Sequence, residues 1–391
     1  MEMFKKTIDE MRALGADITT TEIMQQPELW RDAYKIYQDN KEAIEGFLAT
    51  ARAMDPSQRL SVIFTGAGSS DYAGDMAAPY LRHAGDTDAY DFKAIASTDI
   101  VSDPHCFLHA KDPVVLVSFA RSGNSPESLA AVDVVRKFNK NAMFLNITCA
   151  PEGKLAVESA DDPKALTILI PRANDKGFAM TGSLSCMTLM ACLIFDTASD
   201  DDKARWVETA AKMGEEVVAR EGELDPITTG GLDRIVYLGS GAFGGLAQEV
   251  QLKILELAAG KTATSFDTSI SYRHGPKSFV DGNSVVIIFA NPDSYARQYD
   301  MDMLKEIQGD GICKQVIGVQ QDTDTVFEGD NFTFKGYETL PEGYLAMPFL
   351  MVGQTIALHN ALEYKNTPDT PSPTGQVTRV VHGVTIHPFE A

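Results

Sequence analysis

Two short apolar runs, each closed by the same kind of small-residue turn, govern how this chain folds. Leu60–Thr65 runs into Gly66-Ala67-Gly68-Ser69-Ser70, and Arg234–Leu238 runs into Gly239-Ser240-Gly241-Ala242-Phe243-Gly244. Gly66 and Gly239 stand 173 residues apart (239 minus 66) in a chain of 391, so two copies of one structural unit are expected. Each turn leads into a helical segment: Ala-rich after Ser70, and Leu246–Ala259 in the second half. Further apolar runs at Pro113–Phe119, Ala142–Thr148, Ala165–Pro171 and Ser284–Ala290 read as buried strands, with helices at Ser128–Phe138 and Met180–Ala198. Short apolar strands alternating with helices indicate an α/β protein, with parallel sheets covered on both faces.

Residues 1–54 read as a helical N-terminal extension, with Thr19–Thr21 as caps and Pro27 opening a helix. The first α/β domain is expected over 55–200 and the second, with a C-terminal loop, over 201–391. The acidic stretch Asp200–Gly222 serves as the linker.

Composition limits the partners. A formal net charge of -21 argues against nucleic acid, because phosphate-backbone contacts need clustered Lys and Arg. The same field repels a small phosphorylated anion, so a phosphate site must draw on helix N-termini, backbone N–H groups or an Arg. No run approaches 18 apolar residues, and residues 1–17 show no signal-peptide pattern. Five cysteines without CxxC spacing read as free thiols in a cytoplasmic protein. His105 and His109 have the spacing of a helical metal pair, but Pro104 and a polar loop favour a surface pair, and no metal is expected.

The turn Gly66–Ser70 and the loop Ala120-Arg121-Ser122-Gly123-Asn124-Ser125-Pro126-Glu127 both follow a buried strand and precede a helix. Small residues let backbone N–H groups approach a ligand, the helix dipole favours an anion, and Arg121 supplies a full charge. Either loop alone also reads as an ordinary helix cap. In the second half, Glu249, Lys253 and Glu256 share one helix face. Such spacing fits a surface salt-bridge stripe, but Val250, Leu252, Ile254, Leu255 and Leu257 make this helix largely apolar, and charges there need partners or a task. Downstream lies Tyr272-Arg273-His274-Gly275-Pro276, a turn that would fix an imidazole.

The serine turn and the Arg121–Ser125 loop resemble the phosphosugar-binding pattern of sugar-isomerase (SIS) domains. Glu249-x3-Lys253-x2-Glu256 followed by His274-Gly275-Pro276 resembles the isomerase half of glucosamine-6-phosphate synthase, and more strongly the AgaS family of tagatose-6-phosphate ketose/aldose isomerases and galactosamine-6-phosphate deaminases. Thr21-Glu22-Ile23, Gln25-Gln26-Pro27, Trp30 and the terminal Val377-x-Arg379-Val380-Val381-His382-Gly383-Val384-Thr385-Ile386 are also AgaS-like.

The resemblance implies two tandem SIS domains, each a flavodoxin-like parallel sheet between helices. It implies phosphate contacts from Gly68, Ser69, Ser70, Arg121, Ser122 and Ser125. The family's first loop serine is Ala120 here, so one donor is missing and Arg121 compensates. Glu256 is the implied base moving a proton between C1 and C2, and His274 the group assisting ring opening, reaching the site from a neighbouring subunit of a homo-oligomer. Lys253 and Glu249 orient the base, and Thr181 and Ser183 are expected to contact sugar hydroxyls.

The synthase's C-terminal-loop Lys has no counterpart in Asp369–Thr378, where Gln376 or Arg379 stands nearby. The chain carries no glutaminase segment, so the expected reaction releases ammonia hydrolytically: galactosamine 6-phosphate to tagatose 6-phosphate, without an organic cofactor. Plain ketose/aldose isomerisation is the alternative. Two rivals remain: a dinucleotide fingerprint at Gly239-x-Gly241-x-x-Gly244 with Asp267 downstream, and a non-catalytic sugar-phosphate-binding SIS module.

Overall fold

The structure, a computed structural model, describes residues 2–381 and 383–390. His382 of the C-terminal motif lies outside the described residues. Among the described residues ten strands form two sheets: β1 (Leu60–Thr65), β2 (Tyr90–Ala94), β3 (Val114–Ala120), β4 (Ala142–Thr148) and β5 (Ala165–Leu169) in the first, and β6 (Arg234–Gly239), β7 (Ala263–Asp267), β8 (Ser284–Phe289), β9 (Gln315–Gln321) and β10 (Asn331–Phe334) in the second. Their orders are β2-β1-β3-β4-β5 and β10-β9-β8-β6-β7, parallel throughout. Counted from each sheet's own first strand, both read 2-1-3-4-5, the flavodoxin-like order.

The chain divides into two compact units, neither continuous in sequence. The first-sheet unit comprises Leu29–Asp175, Gly182–Ala204 and Val377–Ala391; the second-sheet unit comprises Met1–Glu28, Lys176–Thr181 and Arg205–Gln376. The change of unit at Ala204 falls inside the helix Asp200–Ala219, within the acidic stretch.

Central strands β1, β3, β4 and β8 are buried at every residue, which is why their sequences are almost wholly apolar or small, with Asn146 of β4 donating to Ser159 and Thr167 hydroxyls. Each sheet is closed by a wholly or nearly wholly buried helix, Gly182–Phe195 in one unit and Glu342–Glu363 in the other. The first of these helices is shorter than the expected Met180–Ala198. In the first-sheet unit Phe64 stacks on Phe92 and Phe119 and meets Phe195 edge-on. Truncating so buried a ring costs about 3–5 kcal/mol. In the second-sheet unit Phe289 stacks on Tyr237 and Phe349. Glu342–Glu363 is long and apolar enough to cross a membrane by length and composition, and 94% of its apolar window is buried in the fold.

Candidate active site

β1 ends in a turn that only glycine permits at two points. A Cβ on Gly66 would overlap the Ser70 backbone, and Gly68 sits at φ 59°. The helix Ser69–Ala84 therefore begins at once, with Ser69 and Ser70 buried in its first turn. Beyond β3, Gly123 at φ 65° turns the loop, and Pro126 starts the helix Pro126–Phe138. Asn124 braces this loop by accepting from Lys154 N–H at 3.1 Å, and its own N–H donates to the Ser122 hydroxyl at 3.3 Å. Ser125 is the N-cap, yet its side chain makes no capping hydrogen bond. Arg121 is only 7% exposed and donates to the Arg379 carbonyl at 2.8 Å. All six residues expected to grip phosphate thus lie at the ends of two neighbouring strands of one sheet, in the turns or in the first turn of the helix that follows, where helix N-termini and a guanidinium supply positive potential.

The second-sheet unit repeats the turn and fills it from within. A Cβ on Gly239 would overlap Phe243, and Gly241 sits at φ 63°, matching Gly66 and Gly68. Here the neighbouring donors are committed to carboxylates of the chain. Asp300 accepts from Ser240 Oγ at 2.6 Å, Ser269 Oγ at 2.5 Å and Asn291 N–H at 2.8 Å. Burial pushes the Asp300 carboxyl above its ordinary range against the pull of these donors. Glu342 lies against Gly241 and bonds the Asn291 amide, and Asp293 caps the helix Ser294–Asp310 by accepting from Tyr295 and Ala296 N–H. The GxGxxG pattern therefore marks a turn already occupied by protein carboxylate, which counts against the dinucleotide reading.

The same unit carries the Glu/Lys/Glu face. On the helix Ala242–Leu257, Glu249 and Lys253 are fully buried, and the Glu256 side chain is 22% exposed. The Lys253 ammonium lies 3.3 Å from Glu249 and bonds Glu256. Burial alone would lower the lysine's pKa; the two carboxylates outweigh it and raise it. A surface stripe is thus excluded. Lys253 is locked as a cation, and Glu256 is the carboxylate of the three with an open side.

His274 is exposed, in a turn that requires Gly275 at φ 122°. Arg273 and Lys277, on either side, both pair with Glu306 at 2.6 Å and pull that carboxyl below its ordinary range, pinning the turn on the helix Ser294–Asp310.

Two expected sugar contacts fall differently. Ser183 is wholly buried, and its N–H and hydroxyl both donate to Asp175, at 2.8 and 2.5 Å, capping the helix Gly182–Phe195. Its proton is taken by the fold. Thr181 is also buried and belongs to the other compact unit. His105 packs its ring against Phe138 and Phe389 at 5.2 and 5.9 Å.

No protein-family model matches the chain. It is 36% identical over 383 residues to a D-galactosamine-6-phosphate deaminase AgaS of Shewanella sp. (strain ANA-3), covering 97% of this chain and 94% of the relative. An Escherichia coli protein of the same name is 37% identical over 378 residues, with 95% and 96% covered. This chain belongs to the AgaS family. Among solved structures, tagatose-6-phosphate ketose/aldose isomerase from Escherichia coli superposes with a TM-score of 0.85 at 34% identity, covering 95% of this chain and 97% of that one.

The AgaS-like N-terminal motif proves to be scaffolding. Glu22, buried in the helix Asp17–Met24, accepts from the N–H groups of Lys176 and Gly177 and so holds the segment leading to Thr181. Asp369 caps that helix by accepting from Ile18 and Thr19 N–H, and Gln26 bonds Gln354 at 2.6 Å. In the first-sheet unit Trp30 donates to Ser185 Oγ at 2.9 Å. Asp175 and the bond from Arg121 to Arg379 escaped sequence reasoning, since each joins residues far apart in the chain.

Proposed function

We propose that this protein is a sugar-phosphate deaminase/isomerase converting D-galactosamine 6-phosphate and water to D-tagatose 6-phosphate and ammonia. The observation that carries the chemistry is the buried Lys253 ion-paired with Glu249 and Glu256, Glu256 alone keeping an open side. The substrate class comes from the AgaS relatives, named for that deaminase activity over almost the whole chain.

In the proposed reaction the 6-phosphate is held by Gly68, Ser69, Ser70, Arg121, Ser122 and Ser125. His274 moves the proton that opens the ring, and its exposure suits service to a neighbouring copy in a homo-oligomer. Glu256 removes the C2 proton, giving an enolamine, and returns a proton to C1. The resulting C2 ketimine adds water and expels ammonia, leaving the ketose. With a hydroxyl at C2 the same two proton transfers give the ketose directly, so aldose–ketose isomerisation is a shared partial activity. Lys253 stabilises the charge that develops as the base works. The sugar's own carbonyl is the electron sink. A cytoplasmic setting fits the five free cysteines.

The test is ammonia and ketose release from the 6-phosphates of galactosamine, glucosamine, galactose and tagatose, by the wild type and Glu256→Gln. Ammonia from galactosamine 6-phosphate, reduced about 10³-fold in the variant, is the expected result. Ketose without ammonia from either amino sugar would sink the deaminase assignment, and unchanged turnover in the variant would sink Glu256 as the base.

A further inference from the structure

The phosphate-gripping loop contains one full positive charge in a chain of net charge -21, and Ala120 supplies no hydroxyl where the related pattern has a serine. Arg121 must therefore be well aimed. Its side chain is long, and within the first-sheet unit its orientation is set from an unexpected direction, by the far end of the chain.

Arg121 Nη2 donates to the main-chain carbonyl of Arg379 at 2.8 Å. That carbonyl is in turn held by its own residue's side chain. Arg379 Nε donates to the Asp175 carbonyl at 3.1 Å, Nη2 reaches the same oxygen, and Nη2 also donates to Asn174 Oδ1 at 3.2 Å. Asp175 is no floating anchor, because its carboxylate caps the helix Gly182–Phe195 through Ser183. The charges of Asp175, Arg121 and Arg379 all act on the buried Cys149 thiol, whose pKa is raised chiefly by burial, so the three groups converge at one end of β4.

We propose that Arg379 is a positioning residue for Arg121. Its carbonyl fixes the Arg121 guanidinium toward a phosphomonoester at the Arg121–Ser125 loop, and its side chain is the latch that keeps the carbonyl in place. A guanidinium is planar and rigid, so an anchor on one N–H fixes the plane in which the whole group lies, and a plane held in place suits recognition of phosphate oxygens. The proposal rests on the reading of Arg121 as a phosphate ligand. It gives the C-terminal segment a task that needs no lysine.

The test uses the full chain with Arg121→Ala, Arg379→Ala and the double variant. It measures inorganic phosphate binding by calorimetry, and kcat and KM on the sugar phosphate. Arg379→Ala is expected to weaken phosphate and raise KM about tenfold with kcat within threefold, a shift of ~1.4 kcal/mol in binding. The double variant is expected to bind phosphate no worse than Arg121→Ala alone, because Arg379 acts through Arg121. Phosphate affinity within twofold of wild type in Arg379→Ala, with Arg121→Ala impaired, would overturn the positioning role and leave the ligand reading intact. Losses that multiply in the double variant would overturn it too, showing Arg379 acting independently. Unchanged phosphate binding in Arg121→Ala would overturn both.

Discussion

The helices Ser69–Ala84 and Ala242–Leu257 are the same length and follow the same glycine turn, yet they have diverged into opposite specialisations. Positions 249, 253 and 256 correspond, at the 173-residue offset, to 76, 80 and 83. The second copy has Glu, Lys and Glu there; the first has Met76, Tyr80 and His83, with Met76 and Tyr80 in the core and the Tyr80 hydroxyl bonded to Asp196. The turns differ in the other sense. The first copy's Ser125 cap makes no side-chain capping bond, whereas Asp300, Glu342 and Asp293 fill the second. On the proposed reading the first copy's mouth takes the anion while its helix packs the core; in the second copy carboxylates fill the mouth and the helix carries an ion triad.

That contrast is most exposed at Lys253. Lys253→Met leaves two carboxylates on a buried face and is expected to cost about 3–5 kcal/mol in urea unfolding. Tyr80→Phe at the equivalent place removes one hydrogen bond to a carboxylate and is expected to cost about 1.5–3 kcal/mol. A reversed order would show that the triad is not the tightly coupled element it is taken to be. Next comes Ser125→Asp, which gives the first copy the second copy's acidic cap. KM for the sugar phosphate is expected to rise on the order of 100-fold, ~2.7 kcal/mol, with the fold at least as stable. Unchanged KM would remove the helix N-terminus from the phosphate site.

The reciprocal change, Asp293→Ala, is expected to cost about 1 kcal/mol as a lost cap. It should create no phosphate binding in calorimetry, since Asp300 and Glu342 remain. The last contrast is at Asp71, which corresponds to Gly244. Burial first, then the charges of Asp75 and Asp99, push its carboxyl up to about 7. The folded state therefore holds this proton more tightly than the unfolded state, and stability falls as pH rises from about 4 to about 7. Asp71→Asn should accordingly raise Tm most above pH 7 and not at all below about pH 4. A pH-independent gain would reassign the effect to packing.

Much of this was legible in the chain because it is local. Central strands announce themselves as apolar runs, both glycine turns stand in plain view, and the Glu/Lys/Glu spacing needs only helical periodicity. β2 and β7 did not register because edge strands such as Tyr90–Ala94 and Ala263–Asp267 are only half-covered and carry mixed residues. β9 hides two glutamines in the core, where Gln320 bonds Phe327 and Thr333. At Ser183 residue type alone does not separate two roles, because a serine at a helix start looks alike whether it meets a ligand or an Asp eight residues earlier. Arg379 reads in the sequence as part of the C-terminal motif and as a neighbour of a missing lysine, since a carbonyl that accepts from a guanidinium leaves no trace in residue type.

The carboxylate seated against Gly241 also fixes a count. Because the second turn brings its own anion, a saturating titration with inorganic phosphate should stop at one equivalent per polypeptide, despite two sheets of the same strand order. Recovering a second equivalent would demand removing Asp293, Asp300 and Glu342 together, so the asymmetry is buffered against any single substitution.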